Sequence, residues 1–297
     1  MVIAHRSQCA LTALFGASVA LAGPNPPATI FFTSDISVGK SIAGTNTRTG
    51  LMNFPFNGAI GVTVQDGFVY ASTSNPSSIW RCGLSGQSPT QILSRGSDVY
   101  VRQVQFLDHK MYWNEQATGT IFRANPDGTA VQTVMTGPTG DLNGIWDFTL
   151  ANNRIYWTSW DSTTVKSTRL DGTDPQQIDV GGRVFSIESL PNGLVVSGSN
   201  GTTGFVNSMG FDGSNLQTLA TQGGVTEMNG LSLFDSRAYF SWSGAGGAHV
   251  SSVSLSGGAV AADLVGGTEI FQISVVPAPW TLGVVGAVLM SRRRRML

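Results

Sequence analysis

An aromatic strand motif returns along this chain at a near-constant interval, and that period constrains the fold more than any other feature. The motif reads Ile30-Phe31-Phe32, Val69-Tyr70, Met111-Tyr112-Trp113, Ile155-Tyr156-Trp157, Val195-Val196 and Ala238-Tyr239-Phe240. From Tyr70 the steps are 42, 44, 40 and 43 residues, through Tyr112, Tyr156, Val196 and Tyr239. A second strand then closes in a turn each time: Leu84-Ser85-Gly86, Pro126-Asp127-Gly128, Leu170-Asp171-Gly172, Phe211-Asp212-Gly213 and Leu255-Ser256-Gly257. Glycine after Asp or Ser supplies the positive φ that a tight hairpin requires. An outer strand follows, such as Gln132-Thr133-Val134-Met135 or Gln217-Thr218-Leu219-Ala220.

A period near 42 with four short strands per unit is the signature of a β-propeller blade, and the spacing fits six blades. Residues 28–276 are rich in Gly, Ser and Thr and poor in Lys and Glu. No long segment carries a 3.6-residue period, whereas stretches such as Val99-Tyr100-Val101-Arg102-Gln103-Val104 alternate. Helical repeats of this length would need amphipathic helices, and a β-helix would need shorter coils. The expected fold class is therefore all-β, a six-bladed propeller of four-stranded blades.

Two units carry more than spacing. Met111-Tyr112-Trp113-Asn114-Glu115 with Ile121-Phe122-Arg123-Ala124-Asn125-Pro126-Asp127-Gly128, and Ile155-Tyr156-Trp157-Thr158 with Leu170-Asp171-Gly172, resemble YWTD repeats, the low-density lipoprotein receptor class B repeats. Asn143-Gly144-Ile145 and Asn229-Gly230-Leu231 are similar to that family's Asn-Gly-Leu approach to the innermost strand. The fourth motif residue, Asp in that family, is absent after Tyr156-Trp157-Thr158, where Ser159 stands. The resemblance implies that the aromatic motif lies on the second strand of each blade. Innermost strands then fall near 58–65, 99–107, 143–150, 184–190, 229–235 and 270–276. The chain thus opens on a second strand at Ile30, and its missing first strand is Ile270–Val275, expected to pair with Ile30–Thr33. The N- and C-terminal strands share one blade, which closes the ring and hides its edges.

The two termini read as addresses. Residues 1–22 have the form of a secretory signal peptide: His5 and Arg6, an apolar run from Ala10 to Ala22, and an Ala20-Leu21-Ala22 site with cleavage between Ala22 and Gly23. The other end reads Val276-Pro277-Ala278-Pro279, a short apolar stretch from Trp280 to Met290, and Arg292-Arg293-Arg294-Arg295. A helix over those eleven apolar residues rises about 16 Å, half of a roughly 30 Å hydrocarbon core. The arginines resist translocation. The order resembles the PEP-CTERM sorting signal of exported bacterial surface proteins, with Ala278 in place of the usual Glu. That resemblance implies a transient membrane anchor, processing by an exosortase-like enzyme and delivery to the cell envelope or surface. The expected organisation is a signal peptide (1–22), a propeller (28–276) and a sorting tail with a short apolar helix (277–297).

The formal charge of −1 hides a division, because Arg6 and the four tail arginines are five of the 17 basic residues. The body keeps 12 basic residues against 18 acids, about −6, which opposes nucleic-acid binding. Of the two cysteines, Cys9 leaves with the signal, so Cys82 has no partner for an intramolecular disulfide.

Motifs that carry chemistry are absent. No G-x-S-x-G elbow, P-loop or HExxH is present. His109 and His249 lie in turn-like contexts without a neighbouring nucleophile pattern, and no catalytic residue or cofactor is assigned. Polar residues do stand where innermost strands begin: Asn57, Asp98, Asn143, Arg183, Asn229 and Glu269. In a propeller these converge on one mouth of the channel. Asp98, Asn143, Asn229 and Glu269 would suit a hard cation such as Ca²⁺, although Arg183 would repel it. Trp113, Trp146, Phe148 and Trp157 suit the wedge between blades, while Trp160 and Trp242 suit stacking on sugar rings.

The function expected is an exported binding protein of the envelope or extracellular space, its ligand a polysaccharide or a surface protein. Its other partners are the export machinery, the exosortase-like enzyme and, through the tail, the membrane. The ring of channel oxygens resembles that of six-bladed gluconolactonase-like enzymes, which gives an alternative reading as a metal-dependent hydrolase or lyase. A structural matrix component is a third.

Overall fold

The computed structural model describes residues 27–54, 58–137, 144–267 and 269–278. The expected signal peptide, Pro279 and the rest of the tail lie outside the described residues, as do Asn57 and Asn143. Within the described residues the chain forms six four-stranded antiparallel sheets and no helix. Each sheet is one blade of the propeller expected from the repeat. The innermost strands of blades 1 to 5 are Ala59–Gln65, Val101–Leu107, Asp147–Ala151, Arg183–Leu190 and Val225–Phe234. In every case the aromatic motif follows on the second strand.

Blade 6 is assembled from both ends of the chain. Ile273–Pro277 supplies its innermost strand beside Ala28–Ser34, Ser37–Ile42 and Thr49–Asn53. The register pairs Phe32 with Ile273, Ile30 with Val275 and Ala28 with Pro277. Backbone bonds continue the pairing past the regular strand: Thr33 N–H donates to Gln272 O at 3.0 Å and Phe271 N–H to Thr33 O at 3.2 Å. The pairing of Ile270–Val275 with Ile30–Thr33 therefore holds. Pro277 is the last rung of this sheet.

Six apolar clusters fill the wedges between neighbouring blades. One joins Tyr70 and Ile79 of blade 1 to Val101, Val104, Met111 and Trp113 of blade 2, all 2% exposed or less. Trp113, Phe148 and Trp157 lie in such wedges as expected, at 0%, 0% and 5% exposure. Burying an aromatic ring of this size removes about 150–250 Å² from water, and the motif places one at most junctions.

Two places after Phe31, Tyr70, Tyr112 and Tyr156 stands a polar latch. Thr33, Ser72, Asn114 and Thr158 are all fully buried. Ser72 Oγ accepts the Gly61 N–H of its own blade at 2.8 Å and donates to Arg102 O of the next at 2.5 Å. Asn114 accepts from Gln103 N–H at 2.9 Å and donates to Ile145 O at 2.6 Å. Thr158 donates to Phe185 O at 2.9 Å. Ser197 and Ser241 hold the same place, but their hydroxyls find no partner among the described residues. Where Ser197 fails, Ser186 donates instead to Asn229 O at 2.8 Å. Each such bond contributes about 1 kcal/mol net, and leaving its buried partners unpaired costs more. At Glu115, the fourth motif position, the carboxylate pairs with Arg95 of blade 1. At Ser159, where the Asp is missing, the neighbouring Thr158 bond to Phe185 O still joins blades 3 and 4.

Candidate functional site: the channel mouth

Where the innermost strands begin, a cavity of about 580 Å³ opens. Every blade contributes to its lining except blade 4. Its walls are aromatic and acidic: Tyr100, Trp146, Trp160 and Phe271 face Asp35, Glu227 and Glu269, with Arg102, Gln116 and Asn229 among them. The geometry follows from the topology. Tyr100, Trp146 and Phe271 precede innermost strands and Asn229 lies midway along one, whereas Asp35, Gln116 and Trp160 come from turns after second strands, which open on the same face.

Tyr100 holds a left-handed backbone, with φ of +53°, although it is an aromatic residue. Its N–H donates to Ser77 Oγ at 2.9 Å and its carbonyl accepts from Gln116 N–H at 3.0 Å. These bonds hold it in a sparsely populated conformation, and its side chain remains 40% exposed. Non-glycine residues in such conformations concentrate at functional sites.

Trp146 and Trp160 pack against each other with ring centroids 4.3 Å apart. The Arg102 guanidinium lies over Trp146 at 3.2 Å from the ring centre, and that of Arg183 over Trp160 at 5.3 Å. Trp146, expected in a wedge, packs against the wedge cluster of blades 4 and 5 and also lines the mouth. Trp160 lies at the mouth, where stacking on a ligand is feasible. Trp242 lies outside the mouth, stacked on His249 at 4.1 Å.

The predicted polar ring separates. Asn229 and Glu269 line the mouth together. Asp98 is exposed in a left-handed turn, φ +63°, and does not. Arg183 is engaged by Asp161 at 2.8 Å. Among the described residues no three His, Cys, Asp or Glu side chains are arranged to hold a metal ion. The acids that join Glu269 are Glu227 and Asp35. Burial raises the Glu269 carboxyl above its ordinary range, and the Glu227 and Asp35 charges and a hydrogen bond with Glu227 push the same way. Asn229 Nδ2 donates to Glu227 Oε2 at 3.3 Å.

Below the mouth the channel narrows to a void of about 10 Å³ lined by Ile60, Arg102, Trp146, Asn229 and Phe271 of the mouth, with Gln103, Asp147 and Gln272 beneath. Burial raises Asp147 to about 6, against hydrogen bonds and the Arg102 charge. Burial lowers Arg102 to about 9, which the Asp147 charge opposes. Glu188 is raised to about 8, by burial first and then by Asp147, and Gln105 Nε2 reaches its Oε1 at 3.5 Å. Reasoning from the sequence missed Arg102, Asp147, Glu188 and Glu227. They sit on innermost strands, and the six-fold register was the only signal that could have found them.

No family model matches this chain, and no curated protein sequence does. Among solved structures, a chain in the crystal structure of a nidogen/laminin complex superposes with a TM-score of 0.67 at 16% identity. The match covers 84% of this chain and 98% of that one. At this identity the likeness is one of fold, and it is to a propeller of the class that the repeat predicted.

Proposed function

We propose that this protein is an exported binding module of the cell envelope or extracellular space. Its ligand, a polysaccharide or a surface protein, enters the channel mouth. One observation carries the reading: a 580 Å³ cavity whose rim presents an exposed aromatic held in a left-handed backbone, beside two packed tryptophans and three carboxylates. Concave aromatic walls with a few polar groups are the ordinary form of a binding site. The shared fold with a chain of a protein–protein complex supports the same reading by analogy. Its route is export by residues 1–22 and sorting by 276–297, with an exosortase-like enzyme as processing partner. Mass spectrometry of the mature protein from membrane and medium fractions tests that route.

The binding test compares the protein with its Tyr100→Ala variant against isolated surface polysaccharide and surface protein. Binding by the protein and at least about tenfold weaker binding by the variant is the expected result. Undiminished binding by the variant would place the ligand elsewhere.

A further inference from the structure

On the face opposite the mouth, a second cavity of about 520 Å³ opens between blades 6 and 1. Phe271 lines the mouth and Pro277 lines this groove, so the closing strand Ile273–Pro277 carries the chain from one face to the other. The groove walls are largely apolar: Phe31, Ile42 and Leu84, with Val276 and Pro277 at the end of that strand. Lys40 also lines it, and its ammonium donates to Leu84 O at 2.9 Å. Leu84 and Val276 pack, partly buried, against the wedge cluster that holds Phe31, Val62 and Val69. A neighbouring junction shows why space remains here. Phe211 of blade 4 stacks on Tyr156 of blade 3 with ring centroids 5.6 Å apart. Between blades 6 and 1 the same two places hold Phe31 and Leu84, and leucine leaves open what a ring would fill.

We propose that this groove docks the protein's own tail, with Trp280 and Leu282 laid along it whenever that segment is outside a bilayer. The inference does not depend on what the mouth binds. The described fold ends at Ala278, one residue beyond Pro277 in the groove wall, and residues 279–297 follow. Trp280 is two residues on, within about 7 Å of the Ala278 Cα. The backbone is paired as far as Ala278, whose N–H donates to Pro27 O, and a residue before proline, here Pro279, is held extended. Alternate residues of an extended chain share a side. Val275 packs between blades 5 and 6 and Val276 between blades 6 and 1. A period of two therefore puts Trp280 and Leu282 on the side of Val276, which is the side of the groove. Residues 280–290 carry no charge, so none has to be desolvated. The arginines begin at Arg292 and stay in water. Burying the indole removes about 150–250 Å² from water. The segment still has to reach a bilayer, so the bias is modest. A preference of about fourfold for the groove adds under about 1 kcal/mol to stability and weakens membrane capture about fivefold.

The test uses the chain from Gly23 to Leu297 with 5-fluorotryptophan in place of tryptophan. The fluorine resonance of Trp280 is the one that Trp280→Phe removes. In the folded protein it should lie away from its position in a free peptide of residues 276–297. Leu84→Phe puts into blade 1 the ring that blade 4 carries at Phe211, and should return most of the signal to the peptide position. The same variant should bind anionic phospholipid vesicles about fivefold more tightly. The peptide comparison needs no change in the body, so it decides even where the Leu84 variant fails to fold. A Trp280 resonance at the peptide position in the unaltered protein overturns the inference. A displaced resonance that moves back on dilution places the tail on a second copy and overturns it as well. So does a displaced resonance that Leu84→Phe leaves unmoved, or vesicle binding that the variant leaves unchanged.

Discussion

Gln272 donates its backbone N–H to the hydroxyl of Thr33 at 3.0 Å, across 239 residues of sequence. The same hydroxyl donates to Ile60 O of blade 1 at 2.8 Å. One buried oxygen thus ties the last strand to the first and the closing blade to its neighbour. Thr33→Val keeps the shape and removes both bonds, leaving a buried N–H and a buried carbonyl unpaired. The expected cost is about 1–3 kcal/mol. At about 2–4 °C per kcal/mol for a domain of this size, thermal unfolding should detect it. Thr33→Ser should recover most of the loss. An unchanged midpoint in the valine variant would remove this hydroxyl from the closure.

Gly61 and Gly230 occupy corresponding places, each beside the latch residue of its blade, yet they should respond differently to alanine. A Cβ on Gly61 collides with the backbone carbonyl of Arg102, which the Ser72 latch holds in place. A Cβ on Gly230 meets the ends of two side chains, Gln272 Oε1 at 2.5 Å and Ser241 Oγ at 2.9 Å, and a backbone atom only at 3.0 Å, Gln272 Cα, against an overlap with backbone at Gly61. Side-chain ends can turn away, whereas a latched carbonyl cannot. Gly61→Ala should destabilise by about 1–3 kcal/mol, the usual range for overpacking, and Gly230→Ala by clearly less. Denaturant midpoints of the two variants decide the order, and equal losses would contradict it.

What was legible in the sequence was whatever repeats. The aromatic pair and the turn glycine recur in five or six copies, so their period gave the blade count, the phase and the shared closing blade. The latch was visible in principle, since Thr33, Ser72, Asn114, Thr158, Ser197 and Ser241 all follow the motif. Its chemistry was not, because whether a hydroxyl reaches the next blade depends on the approach of two strands. The mouth was legible only in part for a related reason. Asn229 and Glu269 were found from the expected starts of innermost strands, although Asn229 lies midway along Val225–Phe234, and Asp98, found the same way, turns outward. Glu227, Asp35 and Trp146 come together only when blades 3, 5 and 6 close on one axis, and no local pattern marks that.

Stability should fall as the pH rises from 7 to 8, and Glu188 should be the cause. Its carboxyl ordinarily titrates near 4.5 and is raised to about 8 in the fold, by burial and then by Asp147. The native state therefore holds a proton that the unfolded chain has released. The stability this provides is lost as pH climbs from the ordinary value through the folded one. Asp147 acts with the same sign but finishes near 6. His249, lowered by burial from 6.5, acts with the opposite sign and below 7. Glu188→Gln should flatten the profile between pH 7 and 8 and gain about 1–3 kcal/mol at pH 8, where the wild type carries the buried charge. A persistent slope in the variant would assign it to another group.

Two truncations separate the closing strand from the tail beyond it. Ala278 is fully buried and its N–H donates to Pro27 O at 2.9 Å, one step past the rung that pairs Pro277 with Ala28. Ending the chain after Ala278 keeps every one of these bonds. Its midpoint should match that of the full-length protein within about 2 °C, under 1 kcal/mol for a domain of this size. Ending it before Ile273 strips the innermost strand from blade 6 and exposes the edge of Ala28–Ser34, whose seven residues are all buried. An unpaired apolar edge is a template for association. That truncation should aggregate or lose cooperative unfolding, which light scattering and calorimetry would show. In cells the first truncation should move the protein from the membrane fraction to the medium, because it removes the apolar stretch and the arginine cluster proposed to hold it. Continued membrane retention would assign the anchor to another part of the chain.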